Sequence, residues 1–243
     1  MDLDLVLKPW DPLTGYLYER GQFRVADLIR EIGGDRSLEW YFVPDPSCES
    51  GQLHILDKPC LDRVKHTRVA FPFNFDPTYC RYRLTDLREY ISPKNIAVCH
   101  KGDLFAPWIP DSVIEEIFSA AEAHPEHTYF FLTRWPERYD EIYHNMKKSL
   151  FGALTNSDWE LRKLNKIMIP MDYVVVGDRC TAPELKKLLA FDYTRPRAVC
   201  FSRGYAKAMP WSKDHLSSLA AVCQEADVPF YIAKHLHWKK VES

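Results

Sequence analysis

No stretch of the chain approaches the ~20 consecutive apolar residues that span a bilayer, so a helical membrane anchor is not expected. No apolar h-region opens the sequence, so a secretory leader is not expected either, and the chain reads as cytoplasmic. Charge of one sign is not in excess: the formal net charge is only -2, and nothing global calls for nucleic acid or a membrane surface as partner. CxxC pairs are absent, although seven cysteines stand at 48, 60, 80, 99, 180, 200 and 223. An odd number of scattered thiols without a paired spacing fits reduced cysteines rather than a disulfide framework. Also missing are GxGxxG, a P-loop, a GxSxG elbow and HExxH, which removes the sequence signatures of dinucleotide binding, P-loop phosphate binding, α/β-hydrolase chemistry and zinc proteolysis. There is no repeat of fixed period and no Gly/Ser linker that would divide the chain.

What is present is a well-populated core. Of 243 residues, 46% are hydrophobic, 27% charged and 14% aromatic, a composition that folds rather than stays disordered. Charge is distributed unevenly. Residues 151–243 carry 14 Lys and Arg against 10 Asp and Glu, whereas residues 1–150 carry 18 against 24. The second half is therefore mildly basic, a weak pointer to an anionic partner.

Short apolar runs rich in β-branched and aromatic residues recur at 38–43, 68–73, 95–99, 128–132, 150–154, 172–176, 197–201 and 229–233. Continuous runs of this kind suit strands buried on both faces of a parallel sheet. From the third run onward the gaps carry helical patterns, opening at Asp111, Trp135-Pro136, Ser157, Thr181 and Ser212. Alternating β and α units, up to eight of them, predict an α/β fold with a full or partial parallel (β/α) barrel of TIM-like type, with a doubly wound open sheet as the alternative. The first 36 residues, with a helical pattern at 24–32, read as an N-terminal extension, and residues 37–243 as the barrel domain. Between the first two runs, 44–67 reads as an irregular loop.

A parallel barrel places its chemistry on the loops after the C-terminal strand ends. Those positions hold Asp103 with His100 and Lys101 after the third run, Arg134 after the fourth, Arg179 after the sixth, Arg203 after the seventh, and Lys234 with His235 and His237 after the eighth. Arg134, Arg179, Arg203 and Lys234 would then ring one concave mouth and attract carboxylate or phosphate, with Asp103 opposite and His235 alongside. The competing reading is internal ion pairing of the same groups with Asp103 and Asp178. His100, His235 and His237 lack the spacing of a metal site and read as polar loop histidines. The basic flanks around Arg195–Arg203 fit a buried strand better than a nucleic-acid contact.

Several segments resemble a known family. Gly102-Asp103-Leu104-Phe105 with Trp108-Ile109-Pro110-Asp111 is similar to a family segment SDLF…VPD. The stretch 127–138 (HTYFFLTRWPER) resembles HTFQVLTKRPERM, and 223–230 with Lys234-His235 resembles CQAAGVPFFFKQ. Leu38-Glu39-Trp40 resembles an opening IEW. These belong to the phage and bacterial "three-Cys-motif" proteins, a radical-SAM-like barrel family. The resemblance implies a radical-SAM-like barrel with a ligand face, S-adenosylmethionine as a ligand, and three clustered thiolates on a [4Fe–4S] cluster. This chain departs from the pattern at the cysteines. The corresponding loop offers Cys48 and Cys60, and Cys60-Leu61-Asp62-Arg63 has no second cysteine, so the cluster is disfavoured. The family's GGESG turn is also degraded, with Val176-Gly177-Asp178-Arg179 in a comparable place. Three readings remain open: a cluster-less relative that binds an anionic or nucleotide-like ligand at the barrel mouth, a radical-SAM enzyme recruiting Cys48, Cys60 and a distant third such as Cys80, or a phage- or mobile-element-derived interaction protein.

Overall fold

The computed structural model describes residues 5–15, 53–61, 72–73, 76–139, 148–166, 170–192, 195–202, 213–234 and 236–241. Eleven strands are formed among them, in chain order β1 (Leu5–Trp10), β2 (Leu13–Thr14), β3 (His54–Leu56), β4 (Thr78–Cys80), β5 (Asn95–Val98), β6 (Thr128–Thr133), β7 (Ser149–Ser157), β8 (Tyr173–Arg179), β9 (Ala198–Ser202), β10 (Phe230–Lys234) and β11 (His237–Lys240). Eight of these close a barrel in the order β1-β11-β10-β9-β8-β7-β6-β5, and β1 pairs with β5 to complete the ring. Every neighbouring pair in the barrel is parallel except the two made by β11, which runs antiparallel to both β1 and β10. The remaining three strands form a small separate sheet, β2-β4-β3.

This corrects the expected TIM-like, radical-SAM-like (β/α) barrel, because helices do not separate successive strands throughout. The described helices are α1 (Asp111–Glu122), α2 (Asp158–Leu164), α3 (Ala182–Leu189) and α4 (Lys213–Glu225), which follow β5, β7, β8 and β9. After β6 only a 3₁₀ turn, Pro136–Arg138, is described. From β1 the chain passes into the small sheet and a 3₁₀ segment, Arg81–Glu89, before β5. The link from β10 to β11 is two residues long, enough for a hairpin and far short of a crossover helix. Among the described residues the result is a mixed, mostly parallel barrel with few helices.

The six runs from 95 to 233 become β5 to β10, and their apolar content explains why. Alternate residues serve two cores. Leu7, Ala97, Phe130, Tyr173, Val175, Cys200, Tyr231 and Trp238 fill the lumen, while Ile96, Tyr129, Phe131, Val174, Val176 and Phe201 face outward into the packing beneath the helices. The lumen is crowded enough to require a glycine. A Cβ on Gly152 would lie 2.3 Å from the Tyr173 ring, whose hydroxyl donates to the Phe131 carbonyl at 2.7 Å.

The other two barrel strands come from elsewhere. The runs expected at 38–43 and 68–73 fall outside the described residues apart from Pro72 and Phe73, which form a turn, and the helical pattern at 24–32 also falls outside. In their place β1 is built from residues 5–10, within the segment read as an extension; the 36/37 boundary itself lies outside the described residues. β1 contains Pro9, ordinarily excluded from a central strand because it has no N–H. Here the Leu7 N–H reaches the Leu236 carbonyl at 2.8 Å, and β11 pairs with β1 only at Leu5 and Val6. Residue 9 presents its nitrogen on the same side, past the end of β11, so no ladder bond is lost. No helix among the described residues is long and apolar enough to cross a membrane.

Candidate functional site

All seven parallel strands end on the same side of the barrel, and on β6 to β10 the lumen-facing residues become more exposed toward that side, whereas Asp11 and Cys99, after β1 and β5, stay buried. Phe130, Cys200 and Tyr231 are buried, whereas Leu132, Ser202 and Ala233, two residues further along, are half-buried. On β8 the same progression runs from buried Val175 and Gly177 to exposed Arg179. Gly177 has no room for a side chain, because Asn156 at the end of β7 would meet its Cβ at 2.8 Å. Toward this end the partly exposed residues are apolar Leu132, Leu154 and Ala233 together with polar Asn156 and Ser202.

Arg134 and Arg179 are exposed at the ends of β6 and β8, and among the described residues neither guanidinium meets a carboxylate. By contrast, Arg81, Arg138, Arg162, Arg195 and Arg197 each pair with an Asp or Glu. Lys234 is the last residue of β10, at the same end of the barrel, and its side chain lies outside the described set. Arg203 and His235 also lie outside the described residues.

Asp103 has a different environment from the exposed arginines. Its side chain is buried, and it accepts hydrogen bonds from the Phe105 N–H at 3.1 Å, the Thr133 hydroxyl at 2.7 Å and the Arg134 backbone N–H at 2.9 Å. It thus fastens the loop after β5 to the end of β6 and positions the backbone from which Arg134 projects. Burial pushes its carboxyl up to about 6 against the lowering effect of those three donors.

Sequence reasoning did not single out Asp11, which the structure places at the centre of the most connected group at this end. Asp11 follows β1, and its buried carboxylate meets His100 Nδ1 at 2.7 Å and the Lys101 backbone N–H at 3.2 Å, with Lys101 Nζ 3.8 Å away. Both partners lie just past β5, the strand that pairs with β1. The turn that delivers them is tightly specified. Cys99 has a φ of 53°, a left-handed conformation that a residue with a Cβ rarely takes. Next to it, a Cβ on Gly102 would come within 3.2 to 3.3 Å of the backbone of Leu13, Thr14 and Gly15. The signal that could have revealed Asp11 was the short apolar run before it, Leu5-Val6-Leu7, closed by Asp11-Pro12.

Two of the three thiols that a cluster would recruit are described. Cys48 lies outside the described residues, Cys60 is half-buried, and Cys80 is buried in β4 with its thiol pushed up by that burial. Burial also pushes Cys180 up to about 11 and Cys223 up to about 12, which disfavours the thiolate a metal needs. Among the described residues no three His, Cys, Asp or Glu side chains are placed to hold a metal ion.

With this geometry established, comparison supplies the family. The family described as "Protein of unknown function (DUF5131)" matches residues 57–243. The chain belongs to that family. The matched span contains every barrel strand except β1, so Asp11 lies before it and His100 within it. No curated protein and no solved structure matches the chain.

Proposed function

We propose that this DUF5131 protein binds a small anionic or nucleotide-like molecule at the C-terminal ends of the parallel strands. The observation that carries this reading is where the unpaired arginines stand. Of the four described arginines without an ion pair, Arg134 and Arg179 stand at the C-terminal strand ends and Arg83 and Arg88 lie in the 3₁₀ segment Arg81–Glu89, while the other five are paired. An unpaired guanidinium beside partly exposed apolar side chains offers a planar two-point donor to phosphate or carboxylate. In chain order Arg203 follows β9 and Lys234 closes β10 ahead of His235, and Asp103 holds the Arg134 turn; Arg203, His235 and the Lys234 side chain lie outside the described residues. The protein is read as a cluster-less relative of the phage and bacterial radical-SAM-like barrels it resembles, because the loop with Cys60 lacks the second thiol of that motif.

A thermal-shift series with inorganic phosphate, nucleotides, S-adenosylmethionine and short single-stranded DNA tests the site. An anion should raise the melting point of the wild-type protein. Replacing Arg134 or Arg179 by Ala should weaken that ligand by about one to two powers of ten, given ~1.5–3 kcal/mol for a charge-assisted hydrogen bond. If no anion shifts the melting point, or if the Arg→Ala variants respond like wild type, the binding reading is wrong.

A further inference from the structure

Resting on the binding reading above, the geometry points to the Asp11–His100 pair as a proton-accepting centre at the mouth, acting on a hydroxyl or water held beside the bound anion. Three observations set this pair apart from an incidental surface contact. First, Asp11 is buried, with a side-chain exposure of 5%, while its His100 partner keeps 27%. A buried acceptor fixing a partly open imidazole is the arrangement that orients a general base. Second, the contact is made at Nδ1, at 2.7 Å. A neutral ring that donates its Nδ1 proton to Asp11 leaves the lone pair on Nε2. Third, the local backbone is committed to this geometry through the left-handed Cys99 and the close packing at Gly102. Lys101, 3.8 Å from the other Asp11 oxygen, adds a positive charge next to the pair.

The step is a proton transfer. The O–H bond of the ligand hydroxyl or water breaks, the proton moves to His100 Nε2, and the electron pair remains on oxygen. The Asp11 carboxylate faces the resulting imidazolium and offsets its charge. The substrate class is therefore a small phosphate- or carboxylate-bearing molecule that carries, or is attacked by, a hydroxyl oxygen.

Ring-nitrogen NMR of the full chain tests this, using inorganic phosphate as the probe and His100→Gln to assign the signals. The expected result is an Nδ1–H tautomer for neutral His100 in the wild-type protein, a change toward Nε2–H in Asp11→Asn, and a phosphate-dependent shift of the His100 ring signals. Melting curves run in parallel report binding independently, and an unchanged amide fingerprint shows that Asp11→Asn is folded. Should that variant fail to fold, the wild-type tautomer and phosphate titration still decide the matter. An Nε2–H tautomer in wild type, or a ring unmoved by phosphate that raises the melting point, overturns the proton-acceptor role and leaves the binding site standing. Absence of both the melting shift and the ring shift overturns both.

Discussion

Replacing Asp103 by Ala is the most informative single perturbation of the mouth, because its effect should depend on pH in a direction opposite to that of an ordinary salt-bridged carboxylate. The substitution strands the buried Phe105 N–H and the Arg134 N–H, and frees the Thr133 hydroxyl. At about 1–3 kcal/mol for each of the two unsatisfied backbone donors, the loss at pH 7 should be roughly 2–6 kcal/mol. The carboxyl has an ordinary value of 3.8 and is pushed up to about 6 in the fold. Its folded-state affinity for a proton thus exceeds its unfolded-state affinity. The associated stability is fully present below 3.8 and is lost as pH rises through 6. At ~1.4 kcal/mol per tenfold in proton affinity, the gap between wild type and Asp103→Ala should widen by about 1.3 kcal/mol between pH 7 and pH 5. Urea denaturation of both proteins at the two pH values measures this, and taking the difference cancels groups common to both. A gap that stays flat or narrows toward pH 5 would refute the assignment of Asp103 as a buried, internally bonded carboxyl.

Other positions give equally direct tests. Gly152→Ala should cost about 1–3 kcal/mol or more in a thermal or urea melt, because its Cβ meets carbons of the Tyr173 ring at 2.3–2.6 Å; adding Tyr173→Phe should not rescue it, since those carbons remain, whereas Tyr173→Leu should recover part of the loss. His127 is buried with Glu126 Oε1 3.7 Å from its Nε2, and burial lowers its pKa from an ordinary 6.5 against the opposing pull of that carboxylate. The unfolded chain therefore binds that proton more readily, and stability should fall as pH drops through 6.5. In His127→Phe this component vanishes, so the variant should lose less stability than wild type between pH 7.5 and pH 5.5 in matched urea melts.

The barrel wall was largely legible in the sequence, and its closure was not. Strands β5 to β10 announce themselves because each is buried on both faces, which forces a continuous apolar run. β1 and β11 carry weaker patterns. β1 includes Lys8 and Pro9, tolerated because β11 ends before it reaches Pro9. β11, His237-Trp238-Lys239-Lys240, has one apolar residue, and that residue, Trp238, plugs the lumen against Phe130, Tyr173 and Tyr231. A single inward side chain cannot announce a strand by periodicity, so the expected TIM-like architecture filled the missing places with other apolar runs.

The same long-range pairing decided which site residues could be foreseen. The loop positions after β5, β6 and β8 follow from strand order alone, and so the placement of Asp103, Arg134 and Arg179 at the strand ends was legible in the sequence. What these residues do depends on neighbours in space. Asp103 is satisfied by the turn after β6, so it holds Arg134's backbone as well as feeling the charge of its side chain. Asp11 meets His100 across 89 residues of chain, and does so because β1 lies beside β5. A strand that the sequence disguises thus delivers the buried carboxylate, and a strand that the sequence displays delivers the imidazole. The contact between them exists only once the barrel has closed, which makes ring closure by β1 a condition for forming the Asp11–His100 pair at all.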